Sequence, residues 1–210
     1  MSIETGTEAM LTRRREILTQ GAQPIGWKVG FNVPEIQRKL GIDAPLAGFL
    51  TTDSLLEDGD SWSIEDDGDV IVESEVALEV GADGRSIAAL FPALELADEP
   101  DLDLEIEQIL AGNIFHRAVA FGARVEAEEP GAARILVNGE EQHTVSAADT
   151  VERLEAMVEA VAARLEAAGE ELRPGDRIIT GIIAPPHRAR PGDTVRLELE
   201  QLGGVELRFS

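Results

Sequence analysis

The sequence predicts a strand-rich α+β domain, and three observations carry that expectation. The run V-I-V-E-S-E-V-A-L-E-V at 70–80 is crowded with valine, whose branched β-carbon favours extended backbone. Turn signals recur along the chain, among them R-P-G-D at 173–176, R-P-G-D at 190–193 and Asn138-Gly139, each placed to launch or reverse a short strand. Helical periodicity is confined to a few segments, the clearest at 150–168. With 210 residues the chain can bury one sizeable core, so 1–210 is read as one domain, made of a helical segment at 1–22 and a main body at 24–210.

Taken in order, the first twenty residues predict a helix with Met10, Leu11, Ile17 and Leu18 as apolar positions, stopping near Gly21. From 24 to 56, short apolar pieces (I-G-W-K-V-G-F, A-P-L-A-G-F-L) are punctuated by glycine and proline, which predicts strands and tight loops in place of long helices. Residues 57–69 read as an acidic loop with a short strand around Trp62. In the strand at 70–80, alternation puts Val70, Val72, Val76, Leu78 and Val80 on one face and Ile71, Glu73, Glu75, Ala77 and Glu79 on the other. After a turn at 82–84, F-P-A-L-E-L-A-D is a second apolar segment whose first acid, Glu95, stands between two leucines. A helix is expected at about 103–110, strands at 118–125 and 133–137, and a hairpin turn at Asn138-Gly139. The helix at 150–168 has Val151, Leu154, Val158, Val161 and Leu165 on one stripe, Asp149 as its cap and Gly169 as its stop. Gly203-Gly204 is expected to fold the last strand into a hairpin.

Composition excludes several classes of function. Forty-one acidic residues against 18 basic give a net charge of -23, which repels nucleic-acid phosphates and anionic membranes. The absence of cysteine removes disulfides, thiolate nucleophiles and cysteine-held zinc. No run of about 18 apolar residues offers a membrane span, and Arg13-Arg14-Arg15 leads into polar residues in place of a signal-peptide core; a cytoplasmic protein is expected. Lys28 and Lys39 are the only lysines, and so acidic, lysine-poor a surface suggests adaptation to high salt, where self-repulsion is screened.

Glu73 and Glu75 share one face of a strand, and that face is either a solvated acidic surface or a paired-carboxylate site. Glu95 extends the second reading. Three carboxylates within about 4 Å of one another would repel by roughly 4 kcal/mol per pair at an effective dielectric near 20, and a divalent cation relieves that. All-oxygen ligation suits Mg²⁺, with Mn²⁺ or Ca²⁺ as alternatives, and leaves open positions for a small 2-oxo acid. Lys28 stands in G-W-K-V-G, where glycines let the backbone approach a ligand; it is either a snorkelling surface lysine or a group that neutralises charge and relays a proton beside a bound acid. His116, His143 and His187 lack a serine and acid at triad spacing, and neither a dinucleotide nor a P-loop glycine pattern is found.

Read together, G-W-K-V-G-F at 26–31, G-I-D-A-P-L-A-G-F-L at 41–50, E-S-E-V-A-L-E-V at 73–80, P-A-L-E-L-A-D at 92–98 and L-R-P-G-D-R-I-I-T-G at 172–181 resemble the fumarylacetoacetate hydrolase superfamily, in its 2-keto-4-pentenoate hydratase and 4-oxalocrotonate decarboxylase branch. The resemblance implies a mixed β-sheet roll with peripheral helices, metal ligands at Glu73, Glu75 and Glu95, an active-site lysine at Lys28, substrate contacts at Thr180 and Gly181, and a homo-oligomer. It implies a metal-dependent hydratase of small 2-hydroxy-2,4-dienoic acids. A decarboxylase of a vinylogous 2-oxo acid and a non-catalytic metal-binding relative are the alternatives. Three places depart from the branch: Leu46 stands where an acid is common, Asp98-Glu99-Pro100 where D-S-R is common, and Ala111-Gly112-Asn113 where A-D-N is common. These bear on proton transfer and on recognition of larger substrates. No N-terminal glutamate-histidine pair is available to activate water for hydrolytic carbon-carbon cleavage.

If the acidic surface is a salt adaptation, the melting temperature rises steeply between low and molar KCl. A melting temperature that is the same at both removes that reading.

Overall fold

The computed structural model describes residues 2–64, 69–146 and 154–210. Its strands form two sheets. The larger runs in the order β2 (Leu46–Thr51), β1 (Pro24–Gly30), β10 (Arg177–Ile182), β5 (Val70–Val80), β6 (Ile87–Asp98), β7 (His116–Phe121) and β3 (Leu55–Leu56), with β11 (His187–Arg188) also paired to β5. The β1–β10 and β3–β7 pairs are parallel and the others antiparallel, so the sheet is mixed, as expected of the roll. The smaller sheet runs β4 (Ser61–Trp62), β13 (Gly203–Phe209), β12 (Thr194–Leu199), β8 (Ala133–Val137) and β9 (Glu140–Val145). Four α-helices flank the sheets among the described residues: α1 (Ile3–Thr19), α2 (Pro34–Leu40), α3 (Ile106–Ala111) and α4 (Leu154–Ala167). None of them is long and apolar enough to cross a membrane.

The smaller sheet follows simple alternation. In β12, Val195, Leu197 and Leu199 are buried while Thr194, Arg196 and Glu198 are half-buried on the outer side, the pattern of a sheet with one wet face. At the centre of the larger sheet the pattern differs. Val70, Val72, Val76, Leu78 and Val80 face the main core, which also takes in Val195, Leu197, Val205 and Leu207 of the smaller sheet and the inner stripe of α4. On the opposite face, Ala77 packs with Phe91, Ala93, Val119 and Ile179. Both faces of β5 are therefore covered, and on the face bearing the acids Glu75 is buried while Glu73 and Glu79 are half-buried.

Local chemistry sets the element ends. Ser2 caps α1, accepting from the Thr5 amide at 3.3 Å. Gly6 lets α1 press onto α3, because a Cβ there would lie 2.9 Å from Glu107 Cα. Asn138 and Gly139 take φ of 54° and 79°, the two left-handed positions that a tight β8–β9 hairpin needs. On α4, Leu154, Val158, Val161 and Leu165 are all buried, and Gly169 follows with φ 74°; the expected cap Asp149 and the stripe position Val151 lie outside the described residues.

Several sequence-based expectations need correction. The segment 24–56 contains a helix, α2, that glycine-proline punctuation concealed: Pro34 begins it, where a missing amide hydrogen costs nothing, and Gly41 ends it with φ 67°. α3 begins at Ile106 and not near 103, because Glu105 and Gln108 close a capping box there. β7 spans His116–Phe121, not 118–125; beyond Gly122 only an isolated bridge joins Val125 to Leu90.

Gly26 has φ 153° and lies directly against the Arg177 backbone, where a Cβ would collide with the β10 carbonyl. Gly26→Ala should therefore destabilise the fold by about 2–4 kcal/mol, read from urea denaturation. Gly21→Ala, at φ 110° with open space around it, should cost only about 1–2 kcal/mol.

Candidate metal and active site

Strand register brings the acids together. Glu73 on β5 is the direct cross-strand neighbour of Glu95 on β6, and Glu75 lies two pairs further along, opposite Ala93 and on the same face. Side chains of such neighbours stand about 5 Å apart on one face. One oxygen from each of the three carboxylates lies within 4.8 Å of the others. Lys28 of β1 is level with Ile179 of β10, which is level with Ala77 of β5, so the lysine rises on the same face.

Each group is held by specific partners. Lys28 is 2% exposed, and its ammonium donates to Glu95 Oε1 and, at 3.1 Å, to the Ile114 carbonyl. His116 Nδ1 sits 2.7 Å from the same Glu95 oxygen. Glu75 Oε2 accepts from the Gly181 amide at 2.6 Å. Glu75 and Glu95 are both wholly buried, and each keeps one oxygen, Glu75 Oε1 and Glu95 Oε2, without a hydrogen-bond partner among the described residues.

Such burial distorts the titration of all four charges. Burial, then the charge of Glu95, pushes the Glu73 carboxyl up to about 7 against the partial relief of Lys28. The same two causes, joined by Glu73, raise Glu75 well above the ordinary range. Burial raises Glu95 too, but Lys28 and His116 outweigh it and leave its pKa lowered. For Lys28 burial favours the neutral amine, yet the surrounding carboxylates prevail and the ammonium is stabilised. Three acids facing one lysine leave a surplus of buried negative charge. Together with two orphaned carboxylate oxygens, that surplus fits an oxygen-ligated divalent cation held by Glu73, Glu75 and Glu95.

A cavity of about 190 Å³ opens beside these groups. Its polar end is formed by Lys28, Asn32, Glu73 and Gly181, and its walls by Phe31, Ile36, Ile71, Pro100, Leu102 and Phe115, among other apolar groups. Lys28 and Glu73 are the only titratable side chains lining it among the described residues. Asn113, Ile114 and Phe115 all have positive φ (57°, 52° and 62°), a left-handed run that costs about 1–2 kcal/mol per residue. It persists because its surroundings fix it. Asn113 takes the place of a strand partner along β2, accepting from the Phe49 amide at 2.8 Å and donating to the Phe49 carbonyl at 3.0 Å. A Cβ on Gly48 would lie 2.7 Å from Asn113 Oδ1, and one on Gly30 would lie 2.7 Å from Ile114 Cγ2. The turn thus delivers the Ile114 carbonyl to Lys28 and His116 to Glu95.

Of the residues singled out from sequence, the fold brings Lys28, Glu73, Glu75, Glu95 and Gly181 to one place. Thr180 is close by, but its hydroxyl donates to the Val76 carbonyl at 2.8 Å and it does not line the cavity. Gly181 has φ 88°, and any Cβ there would strike the Asn32 amide. Leu46 packs with Ile109, Leu110 and Ile114 behind the site. His116 and Asn32 carry no signal for these roles, and Asn113 stands out only as the last residue of the segment that departs from A-D-N: asparagine tolerates left-handed backbone, but nothing in N-I-F-H foretells a β-branched residue in that conformation.

The family description "Fumarylacetoacetate (FAA) hydrolase C-terminal" matches residues 27–210. The "TodF product hydratase" of Pseudomonas putida F1 is 26% identical over 215 residues, covering 92% of this chain and 79% of that one. A 4-oxalocrotonate decarboxylase of a Pseudomonas species is 26% identical over 203 residues, covering 90% and 79%. Among solved structures, 4-oxalocrotonate decarboxylase from Pseudomonas putida G7, complexed with magnesium and adipate, superposes with a TM-score of 0.89 at 20% identity, covering 100% of this chain and 87% of that one.

Glu73 holds its proton up to about 7 when no cation is bound, whereas in the unfolded chain it releases it near its ordinary value of 4.5. Its contribution to stability is therefore full below about pH 4.5 and lost as pH rises through about 7. In excess chelator, the melting temperature should fall across that window, and Glu73→Gln should flatten the fall. Divalent-cation affinity, measured by calorimetry, should rise with pH over the same window, since ligation requires the carboxylate form.

Proposed function

The chain belongs to the fumarylacetoacetate hydrolase family, and from that premise we propose that it is a divalent-metal-dependent lyase, a hydratase of small 2-hydroxy-2,4-dienoic (2-keto-4-enoic) acids. The observation that carries this reading is the cluster beside the cavity, where the buried Lys28 ammonium meets three converging carboxylates, two of whose oxygens have no hydrogen-bond partner among the described residues. Glu73, Glu75 and Glu95 would hold Mg²⁺, with Mn²⁺ or Ca²⁺ as possible substitutes. When bound, the cation supplies positive charge that offsets the three carboxylates and stabilises negative charge developing on the oxygens of a 2-oxo acid.

The chain's own groups supply the rest. Lys28 uses two of its three N–H bonds on Glu95 and Ile114 and has one left for the substrate. That N–H can hold a substrate carboxylate or pass a proton as the dienol ketonises, before water adds across the conjugated alkene. Asn32 is held by the Thr180 carbonyl at 3.2 Å and adds a neutral polar edge to the cavity. The apolar walls exclude bulk water and suit a short hydrocarbon tail. A cavity of about 190 Å³ is below the usual range for drug-sized ligands, which agrees with a small acid.

Decarboxylation of a vinylogous 2-oxo acid such as 4-oxalocrotonate is the second reading, and likeness to a named decarboxylase favours it. The cavity wall speaks for the hydratase. Lys28 is the only cation lining it among the described residues, so a second substrate carboxylate at the far end would find no counter-charge. Beyond Pro100 the surface carries Asp69, Asp98, Glu99 and Asp101, and its arginines are already engaged: Arg117 with Asp98 and Arg188 with Asp69 and Glu99. A cytoplasmic homo-oligomer belongs to the same reading, through the family resemblance.

With Mg²⁺ present, the ultraviolet absorbance of 2-hydroxypenta-2,4-dienoate should decay on adding the protein. Glu73→Ala and Lys28→Met should each slow the decay by about 10²-fold or more, and 4-oxalocrotonate should react at least about tenfold more slowly. Turnover confined to 4-oxalocrotonate would establish the decarboxylase. Metal-dependent thermal stabilisation with no turnover of either acid would leave a non-catalytic metal-binding relative.

A further inference from the structure

His116 lies behind the site, outside the cavity wall, with its side chain 4% exposed. Its Nδ1 meets Glu95 Oε1 at 2.7 Å and its Nε2 is 3.0 Å from Ser54 Oγ. Ser54 is anchored in turn, donating to the Thr51 carbonyl at 3.1 Å. The imidazole is thus clamped between a carboxylate and a fixed hydroxyl. Lys28 donates to the same Glu95 oxygen, so Oε1 has two donors and Oε2 has none among the described residues.

The two oxygens of Glu95 are therefore unequal as ligands. A carboxylate can bind a cation through one oxygen or through both. Binding through both would require Oε1 to give up at least one of its hydrogen bonds inside a dry interior, where an unmade bond is costly. Glu75 shows the same division, with Oε2 held by the Gly181 amide and Oε1 unpartnered among the described residues. A site in which two of the three carboxylates, Glu75 and Glu95, each offer a single oxygen suits an ion that demands near-octahedral geometry with few protein ligands. It disfavours one that prefers six to eight oxygens and readily accepts two-oxygen carboxylates.

We propose that His116 is a positioning residue that sets cation selectivity: together with Lys28 it occupies Glu95 Oε1, confines Glu95 to one-oxygen ligation, and so favours Mg²⁺ over Ca²⁺. This rests on the metal-site reading above and extends it to a residue outside the ligand set. Ser54 holds the imidazole in the orientation that does so.

Calorimetric titration of the full chain with Mg²⁺ and with Ca²⁺ gives the ratio of the two affinities. In His116→Leu that ratio should fall by about tenfold or more, with Mg²⁺ binding weakened and Ca²⁺ binding retained or improved. His116→Asn, which restores an N–H near the position of Nδ1, should recover most of it. An unchanged ratio in His116→Leu, whether both affinities fall together or neither moves, overturns the proposal, as does an Asn variant no better than Leu. Should His116→Leu fail to melt cooperatively in chelator, Ser54→Ala decides: a fall in the ratio supports the proposal and an unchanged ratio overturns it. A wild-type chain that binds neither cation defeats the metal-site reading and this inference with it. A wild-type chain that binds both, with a ratio indifferent to residue 116, defeats the inference alone.

Discussion

A surplus of negative charge sealed into one face of the larger sheet is the constraint on which the rest of this structure depends. Glu75 and Glu95 are wholly buried, Glu73 is half-buried beside them, and a single ammonium stands among the three. Even at an effective dielectric near 20, carboxylates within 5 Å of one another repel by roughly 3–4 kcal/mol per pair, and burial adds to that. Without a cation the protein's available response is to retain protons, as the raised Glu73 and Glu75 carboxyls indicate. Strands β1, β5, β6 and β10 are consequently both the centre of the fold and the support of its most polar point.

The neighbouring backbone is shaped to hold that charge. A run of three left-handed residues at Asn113–Phe115 would unwind in isolation. Here it is fixed by the Asn113 amide bonded to Phe49 and by Gly30 and Gly48, whose missing side chains leave room for it. The energetic cost of the turn is offset by packing elsewhere, and what it supplies is placement: a carbonyl for Lys28 and an imidazole for Glu95. Strain of this kind collects where side chains must meet at fixed distances.

The departures from the family pattern also have physical accounts. Leu46 is not an exposed gap where an acid is missing; it is 1% exposed and fills the layer between β2 and α3. Pro100 forms part of the cavity wall, while Asp98 and Glu99 before it pair with Arg117 and Arg188 at the surface. Of these positions only Pro100 lines the cavity, where it adds to the apolar wall; Leu46 is packed behind the site, and none of the departures touches the three acids.

Much of this could be read from the residues. Turn chemistry at Pro-Gly and Asn-Gly, the valine-rich run at 70–80 and the leucine-flanked Glu95 located the main strands, because those signals are local and act within a few residues. Alternation placed Glu73 and Glu75 on one face, but it could not say whether that face was wet. Burial depends on what packs against it, and Phe91, Val119 and Ile179 arrive from three other strands. The helix α2 escaped notice for a related reason: it is seven residues long and buries none of them fully, and two apolar positions, Ile36 and Leu40, are too few to set a period. What the sequence by itself determined is which residues carry the charge and which segments extend. Only the tertiary structure decided that the charges converge, that Glu95 is gripped on one oxygen by Lys28 and His116, and that the other is left bare. Those distances depend on strand register and on a strained turn, which are settled by the packing of segments far apart in the chain.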